Sequence, residues 1–210
     1  KQFDLAIVDP PYGILQIGMK ITKPSRPTSY KTPPKHAKKD WDNNRPSKEY
    51  FAELQRISKN QIVWGANHFI SKLPFDSSCW IVWDKQNTGN FADCELAWTN
   101  QKTAVRKFEH MWNGMVKASE RGQKRVHPTQ KPVALAVWCI EQYGEDCDTV
   151  LDLFGGSGFT LVACEQKNKK AYIMELAPAY VDVIIKRWQD FTGKKATLES
   201  NGKTFDELKT

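Results

Sequence analysis

The second half of the chain alternates short apolar runs with longer amphipathic stretches. Residues 148–168, "DTVLDLFGGSGFTLVACEQKN", predict a strand, a glycine-rich turn and a helix, and residues 170–193 predict the same order again. Before them, "HPTQKPVALAVWCIEQYG" predicts a helix that starts near Pro132 and ends at Gly144. Strands that alternate with helices form crossovers between parallel strands. The pattern therefore predicts an α/β fold with a doubly wound, mostly parallel sheet.

The first half predicts one helix and several short strands. The apolar run "LAIVD", residues 5–9, predicts a strand that is buried on both faces. Ser47 can cap a helix whose apolar side chains fall on one face, namely Tyr50, Phe51, Leu54 and Ile57. Further strands are predicted in "QIVWGANHF", "CWIVWDK", "DCELAWTN" and "KTAVRKFE", of which the last two can pair as a hairpin. Near the end of the chain, "KATLE" is the candidate for one more strand.

Size and composition fit one domain. The 210 residues are 40% hydrophobic, which suffices for one substantial core, so we expect a single domain over residues 1–210. Five cysteines without a CxxC pair predict reduced thiols in a cytoplasmic protein, with neither disulfides nor a zinc site. The four histidines have no metal-ligand spacing, so no metal is expected. No signal peptide is visible, and no apolar run approaches the roughly 20 residues of a membrane helix.

Positive charge is concentrated in one segment. The formal net charge is +7 and the pI about 9.1, which permits a polyanionic partner. Residues 20–48 hold nine Lys or Arg against two Asp, with five prolines, which predicts a basic loop over about residues 15–48. This loop is either a solvated insert or a contact for nucleic acid. Arg121, Lys124 and Arg125 form a second basic cluster.

The strand "LAIVD" ends in a stiff sequence, "DPPY" at residues 9–12. Each proline lacks an amide hydrogen, has a fixed φ and restrains the preceding residue to extended conformations. Asp9 and Pro10 are therefore held extended at the carboxyl end of a strand, where open α/β sheets bind ligands. A simple strand-ending turn is the alternative.

The turn in "VLDLFGGSG", residues 150–158, has the features of a nucleoside site. Gly155, Gly156 and Gly158 let the backbone turn sharply and let a ligand approach it. Glu175 follows Gly155 by 20 positions, at the end of the next predicted strand, where its carboxylate can accept hydrogen bonds from ribose hydroxyls. The glycine spacing is not GxGxxG and no Walker lysine is present, which favours a cofactor without a pyrophosphate. A plain tight turn is the alternative.

The motif "HPTQKP", residues 127–132, lies just before this unit. If Pro132 opens a helix, then Thr129, Gln130 and Lys131 lie at its amino end. Backbone N–H groups and a cation there favour a carboxylate. An ordinary capped helix start is the alternative.

Taken in this order, "DPPY", "HPTQKP" and "DLFGGSG" resemble the permuted β-group of DNA amino-methyltransferases. These enzymes transfer a methyl group from S-adenosylmethionine to the exocyclic amine of a DNA base. The segments "NQIVWGANHF", "CWIVWDK", "DCELAWTN" and "HMWNG" are also similar, so the resemblance spans nearly the whole chain. It implies a Rossmann-like methyltransferase fold with a circularly permuted motif order. Relatives usually carry a long target-recognition region where only "MVKASERGQKRV" lies here, so recognition falls to the basic loop or a partner, or is slight.

Methyl transfer to an adenine amine gives "DPPY" a chemical role. The amine lone pair is delocalised into the ring, so two acceptors for its hydrogens make the nitrogen a better nucleophile. The Asp9 carboxylate and the Pro10 carbonyl can be these acceptors, and Pro11 keeps them rigid. Tyr12 offers a flat face for a base that has left the duplex. The amine attacks the methyl group directly, so no covalent nucleophile is needed.

The resemblance also implies the cofactor and its ligands. The cofactor is S-adenosylmethionine, with Glu175 on its ribose and Thr129 and Lys131 near its methionine carboxylate. The remaining cofactor residues are Asp152, Phe154, Gly155, Gly156, Ser157 and Gly158. Phe154 fits a core position nearly as well. The family tends to use Asp in the first motif position for adenine-N6 and Ser for cytosine-N4, so Asp9 favours adenine.

The partner implied by the resemblance is DNA. Its expected contacts are Lys31, Lys35, Lys38, Lys39, Arg121, Lys124 and Arg125. Because many relatives pair, a homodimer is also expected, in the cytoplasm of a prokaryotic or phage-infected cell and without a membrane. The alternatives are a cytosine-N4 or an RNA adenine methyltransferase, or a catalytically silent subunit that binds nucleic acid. The intact clamp and glycine turn argue against the silent subunit.

Overall fold

The computed structural model describes residues 1–13, 44–87, 92–112 and 116–208. The strands within these residues are β1 (Phe3–Val8), β2 (Ser58–Trp64), β3 (Trp80–Asp84), β4 (Cys94–Thr99), β5 (Arg106–Glu109), β6 (Thr149–Asp152) and β7 (Lys170–Ile173). The α-helices are α1 (Lys48–Ile57), α2 (Val133–Tyr143), α3 (Phe159–Gln166) and α4 (Pro178–Thr192). Two short 3₁₀ turns, Ala66–His68 and Ile70–Lys72, follow β2.

The strands form one seven-stranded sheet in the order β5-β3-β4-β2-β1-β6-β7. The central strand β1 pairs in parallel with β2 and β6, while β6 pairs in parallel with β7, and β3 with β5. Only β4 runs antiparallel to its neighbours, β2 and β3. The predicted α/β class with a mostly parallel sheet is confirmed.

The central strand β1 is buried on both faces. Leu5 and Ile7 belong to the core formed with α2 and α3, and Ala6 and Val8 belong to the core formed with α1. This follows from the pleat, which turns successive side chains to opposite faces. Helices therefore cover both faces of the sheet, and the carboxyl ends of its parallel strands share one edge, here called the carboxyl edge.

The predicted helix ends agree with the structure. Ser47 caps α1 and its hydroxyl accepts a hydrogen bond from the Tyr50 N–H at 3.4 Å. Pro132 precedes the first residue of α2, and the Gly144 N–H closes the helix on the Ile140 carbonyl at 2.7 Å. These caps fix the start of α1 and both ends of α2.

Two expectations for strands are wrong. β4 and β5 do not form a hairpin, because β3 lies between them and pairs with both. The exposed charged side chains Arg106, Lys107 and Glu109 suit β5 to the edge of the sheet. In "KATLE", Thr197 makes only an isolated bridge to Thr204, so within the described residues the sheet ends at β7.

All five cysteines are free, and four of them are buried. Within the described ranges, no helix is both long and apolar enough to cross a membrane. In the same part of the chain, no group of three or more His, Cys, Asp or Glu side chains is arranged to hold a metal ion.

Candidate active site

A cavity of about 640 Å³ lies at the carboxyl edge. Because β4 runs opposite to its neighbours, the beginning of this strand reaches the same edge. The cavity is lined by all four residues of "DPPY" and by most of the predicted cofactor residues, namely Phe154, Gly155, Gly156, Ser157, Glu175, Thr129 and Lys131. Asp152 and Gly158 do not line it. The structure thus brings together three motifs that lie far apart in the sequence, "DPPY", "HPTQKP" and the glycine turn.

Tyr12 is held in place by residues that follow β2. Its ring stacks on the His68 ring, with centroids 4.8 Å apart and planes 18° from parallel. It also lies over Gly65, where φ is +66° and an added Cβ atom would come within 2.0 Å of Tyr12 Cε1. Only glycine fits there. The Tyr12 hydroxyl donates to Asp9 Oδ1 at 2.7 Å.

Lys131 is buried against Asp9. Its side chain is 5% exposed, and its Nζ lies 2.5 Å from Asp9 Oδ2, 3.3 Å from the Tyr12 hydroxyl and 3.3 Å from Glu95 Oε2. Burial alone would lower the pKa of Lys131, but the Asp9 and Glu95 carboxylates outweigh it and raise that pKa. Lys131 is therefore an ammonium ion. Its partner in the structure is Asp9, whereas the resemblance implies a place near the methionine carboxylate of the cofactor.

Glu95 is a site residue that the sequence analysis did not single out. It lies on β4 beside Trp83 of β3, lines the cavity and forms ion pairs with Lys131 and Lys85. Burial alone would raise the pKa of Glu95, but the two lysines hold it below its usual value. In the sequence, Glu95 stands out only as an acid within the apolar run "CELAWT". Its place at the carboxyl edge depends on the antiparallel direction of β4, which the run does not reveal.

The glycine-rich loop is fixed by Glu175. The carboxylate accepts hydrogen bonds from the N–H groups of Gly156 and Ala177, both at 2.8 Å. Gly156 and Gly158 have left-handed φ values of +52° and +75°. A Cβ atom on Gly155 would come within 2.7 Å of Ile173 Cγ2 and Ile184 Cδ1. The loop therefore follows a tight path that needs glycine.

Two polar residues differ in their relation to this loop. Asp152 is 1% exposed and lies behind the loop, where its Oδ1 accepts a hydrogen bond from the Phe154 N–H at 3.0 Å. Burial raises the pKa of Asp152 to about 7. Ser157 lines the cavity, and its hydroxyl is buried and makes no hydrogen bond within the described part of the chain. Asp152 thus supports the loop from inside, whereas Ser157 has hydrogen-bonding capacity for a ligand.

Phe154 lies where the core meets the cavity. It lines the cavity, and it also packs against the apolar core beside Tyr50, with ring centroids 5.6 Å apart. The ring therefore forms a wall between the core and the cavity.

The amino end of α2 is already bound to a carboxylate of the chain itself. The Val133 N–H donates to Glu120 Oε2 at 3.1 Å, and Glu120 also forms a buried ion pair with Arg187. Arg187 in turn donates to the Ser157 carbonyl at 3.0 Å. Thr129 lies beside His127, whose Nδ1 accepts its N–H at 3.3 Å. Glu120 thus takes up the Val133 N–H, while Thr129 and Lys131 still line the cavity, and their place near the methionine carboxylate stays a prediction.

Of the second basic cluster, only Arg125 lines the cavity, and its Nε donates to the His127 carbonyl at 3.0 Å. Arg121 and Lys124 are exposed. The four loop lysines, Lys31, Lys35, Lys38 and Lys39, lie outside the described residues. The structure therefore locates three of the seven predicted DNA contacts.

A mostly parallel sheet with this glycine loop, an acid after the next strand and a cavity at the carboxyl edge has the architecture of a Rossmann-like methyltransferase. The comparison of sequences then gives the family. The sequence model of the DNA methylase family, which includes adenine-N6 and cytosine-N4 enzymes, matches residues 72–187. The chain belongs to this family, as its motifs predict.

Solved structures share the fold. The complex of M1.HpyAVI with S-adenosylmethionine is 20% identical, with a TM-score of 0.55 and 89% of each chain covered. The cytosine-N4-specific PvuII DNA methyltransferase is 15% identical, with a TM-score of 0.55 and coverage of 89% of this chain and 79% of that one. TTHA0409 of Thermus thermophilus is 16% identical, with a TM-score of 0.52 and coverage of 97% and 90%.

The cofactor predicted from the sequence is confirmed by the family, whose methyl donor is S-adenosylmethionine. The residues present fit this molecule. The glycines leave the backbone open to close approach, Glu175 follows the next strand, and the Ser157 hydroxyl has no hydrogen-bond partner within the described ranges.

Proposed function

We propose that the protein is a DNA adenine-N6 methyltransferase that acts on a base turned out of the duplex. The observation that carries this proposal is the shared cavity, which is lined both by Asp9, Pro10, Pro11 and Tyr12 and by the glycine loop with Glu175. Its volume of about 640 Å³ falls within the range of roughly 300–1,000 Å³ typical of ligand pockets. A nucleoside cofactor and a target base thus meet at one edge of the sheet.

The cofactor end would hold S-adenosylmethionine mainly through the backbone and two side chains. Gly155, Gly156 and Gly158 allow its close approach, and Ser157 supplies a hydroxyl. Each carboxylate oxygen has two lone-pair sites, so Glu175 can keep its bonds to Gly156 and Ala177 and still accept from both ribose hydroxyls. Asp152 acts from behind by fixing the loop.

The target end would hold the amine. The Asp9 carboxylate and the Pro10 carbonyl accept its two hydrogens, which reduces delocalisation of the lone pair into the ring. Tyr12 is kept rigid by His68 and Gly65, so the base meets a prepared aromatic surface.

When bound, S-adenosylmethionine supplies a methyl group on a positively charged sulfur, so the N–C bond can form as the S–C bond breaks and leaves a neutral thioether. The amine nitrogen then carries one proton too many. The Asp9 carboxylate is the adjacent acceptor for this proton.

The choice of adenine rests on Asp9 in the first motif position, and cytosine-N4 remains the alternative within the family. DNA is supported by family membership and by Arg125 at the cavity, with the exposed Arg121 and Lys124 close by in sequence. A homodimer stays a prediction.

The experiment that tests the function is methyl transfer from labelled S-adenosylmethionine to mixed-sequence duplex DNA, followed by digestion to nucleosides and mass analysis. We expect N6-methyldeoxyadenosine. Methylation of cytosine would instead assign the cytosine-N4 activity. Cofactor binding without any methylated product would support an RNA target or the silent subunit, and the same assay on RNA separates these two.

A further inference from the structure

The Asp9 carboxylate is already bound on both oxygens by groups of the protein. Tyr12 donates to Oδ1 at 2.7 Å and Lys131 donates to Oδ2 at 2.5 Å. The Asp9 side chain is only 16% exposed, so little of either oxygen is open to another donor. If Asp9 accepts a hydrogen from the target amine, one of these two partners has to give way.

Tyr12 is poorly suited to move. Its ring is close to the backbone of Gly65 and stacks on the His68 ring, and its carbonyl accepts a hydrogen bond from Arg45 Nε at 2.9 Å. Moving the phenol would break these contacts together.

Lys131 has a second acceptor within reach. Glu95 Oε2 lies 3.3 Å from Lys131 Nζ, is buried and makes no hydrogen bond within the part of the chain that the structure describes. The side chain of lysine ends in three rotatable donors on a flexible stem. Its hydrogen bond can therefore pass from Asp9 to Glu95 without exposing the ammonium group.

The charges make this exchange feasible. Lys85, Glu95, Lys131 and Asp9 alternate in sign along one chain of contacts. Two carboxylates in one cavity would repel each other without the cation between them. Because Lys131 remains between the two acids in either position, neither carboxylate is left unpaired in a partly buried site.

We propose that Lys131 and Glu95 are positioning residues for methyl transfer: Lys131 holds Asp9 until the target amine arrives and then moves its hydrogen bond to Glu95. This inference rests on the proposed function. It assigns Lys131 to the target end of the cavity instead of to the methionine carboxylate.

The first test combines two substitutions. In Glu95→Gln the ammonium loses its alternative anionic partner and stays on Asp9, so kcat on mixed-sequence duplex DNA should fall by about tenfold to a hundredfold, the size of one charged hydrogen bond. The Kd for S-adenosylmethionine should stay within about threefold. Adding Lys131→Met to Glu95→Gln frees Asp9, so the double variant should be several-fold more active than Glu95→Gln alone.

The second test is the pH profile of Lys131→Met. The groups that face Asp9 are Tyr12, Lys131 and the buried Asp152, with Glu95 and Lys85 behind Lys131. Without the ammonium, the groups that the described residues leave near Asp9 are the Tyr12 phenol and the acids Asp152 and Glu95. The acid limb of the kcat/KM profile of Lys131→Met should therefore lie at higher pH than that of the wild type, and the two profiles should converge at alkaline pH.

The matched control is the surface ion pair between Glu141 and Lys167, which lies outside the cavity. Glu141→Gln and Lys167→Met should change neither kcat nor the pH profile. Thermal unfolding is measured for each variant and for the conservative substitution Lys131→Arg. It distinguishes loss of the fold from loss of the correct placement of Asp9.

Two outcomes would overturn the inference. A double variant no more active than Glu95→Gln would mean that Lys131 does not compete with the amine. If Lys131→Met lost S-adenosylmethionine binding in parallel with activity, Lys131 would be assigned to cofactor binding instead. An inactive wild type would count against the proposed function alone. In that case, the inference is tested by the binding of adenosine to the protein saturated with S-adenosylhomocysteine. Glu95→Gln should weaken adenosine binding, and the double variant should restore it.

Discussion

The two ends of the cavity satisfy their polar groups in different ways. At the target end, the charged side chains Lys131, Asp9 and Glu95 bind one another. At the cofactor end, Glu175 binds backbone N–H groups, while the Ser157 hydroxyl has no hydrogen bond within the described residues and Leu176 is 96% exposed. Under the proposed function, the cofactor would enter by adding contacts, whereas the target base would have to replace an existing one.

Of the substitutions considered, Asp9→Ala should separate the two ends of the cavity most strongly, by abolishing methyl transfer while leaving cofactor binding nearly unchanged. We expect methyl transfer to fall by roughly a thousandfold or more, because one of the two acceptors for the amine is lost. The Kd for S-adenosylmethionine, measured by calorimetry, should change by only a few-fold. Asp146→Ala, in an exposed turn, is the matched control. Cofactor binding lost in parallel with activity would disprove the clamp.

Gly155→Ala should act on the opposite end. The new Cβ atom would meet Ile173 and Ile184 at 2.7 Å, so the loop has to shift. We expect S-adenosylmethionine binding to weaken by about tenfold or more, in line with an overpacking cost of about 1–3 kcal/mol.

Gly122→Ala controls for this change, because a Cβ atom there meets no atom of the described residues within 4 Å. Its left-handed φ makes the substitution locally strained by about 1 kcal/mol, but cofactor binding should not change. Equal loss in both variants would mean that the effect of Gly155→Ala comes from general destabilisation.

Changing Lys35, Lys38 and Lys39 together to Gln should affect DNA binding and leave cofactor binding unchanged. If these lysines contact phosphates, DNA affinity should fall by roughly tenfold at moderate salt, and the slope of log K against log salt should flatten by up to about 2.7. Fluorescence anisotropy over a salt series measures both. Lys194, Lys195 and Lys203, changed to Gln, are the control set. An unchanged slope would make the loop a solvated insert.

His68→Ala should have the smallest effect. It removes the ring stacked beneath Tyr12, a contact worth about 0.5–1.5 kcal/mol, so kcat/KM should fall by a few-fold. His68→Phe keeps a ring and should retain most of the activity. If His68→Ala instead weakened S-adenosylmethionine binding, the two ends of the cavity would not be independent.

Sequence reasoning was most successful where one short segment carries both the structure and the chemistry. "DPPY" and "DLFGGSG" each consist of a strand end followed by residues with restricted or unusual φ angles, and all of the first motif and the central residues of the second line the cavity. Glu95 was not found because its position depends on the direction of β4. Glu120 was not found because it binds the amino end of α2 from 13 residues upstream. Both depend on long-range packing, which local patterns do not encode.

The junction of β1 with β6 also has a consequence for how the protein matures. Leu5 pairs with Val150, and Asp4 and Thr149 bond to each other through backbone and side chains across 145 positions. Closing so long a loop is slow compared with local folding. During synthesis, the clamp on β1 therefore emerges long before the glycine loop that follows β6. The cavity cannot be complete until the residues through Glu175 have been made, after both β6 and β7, so an assembled site marks completion of the sheet.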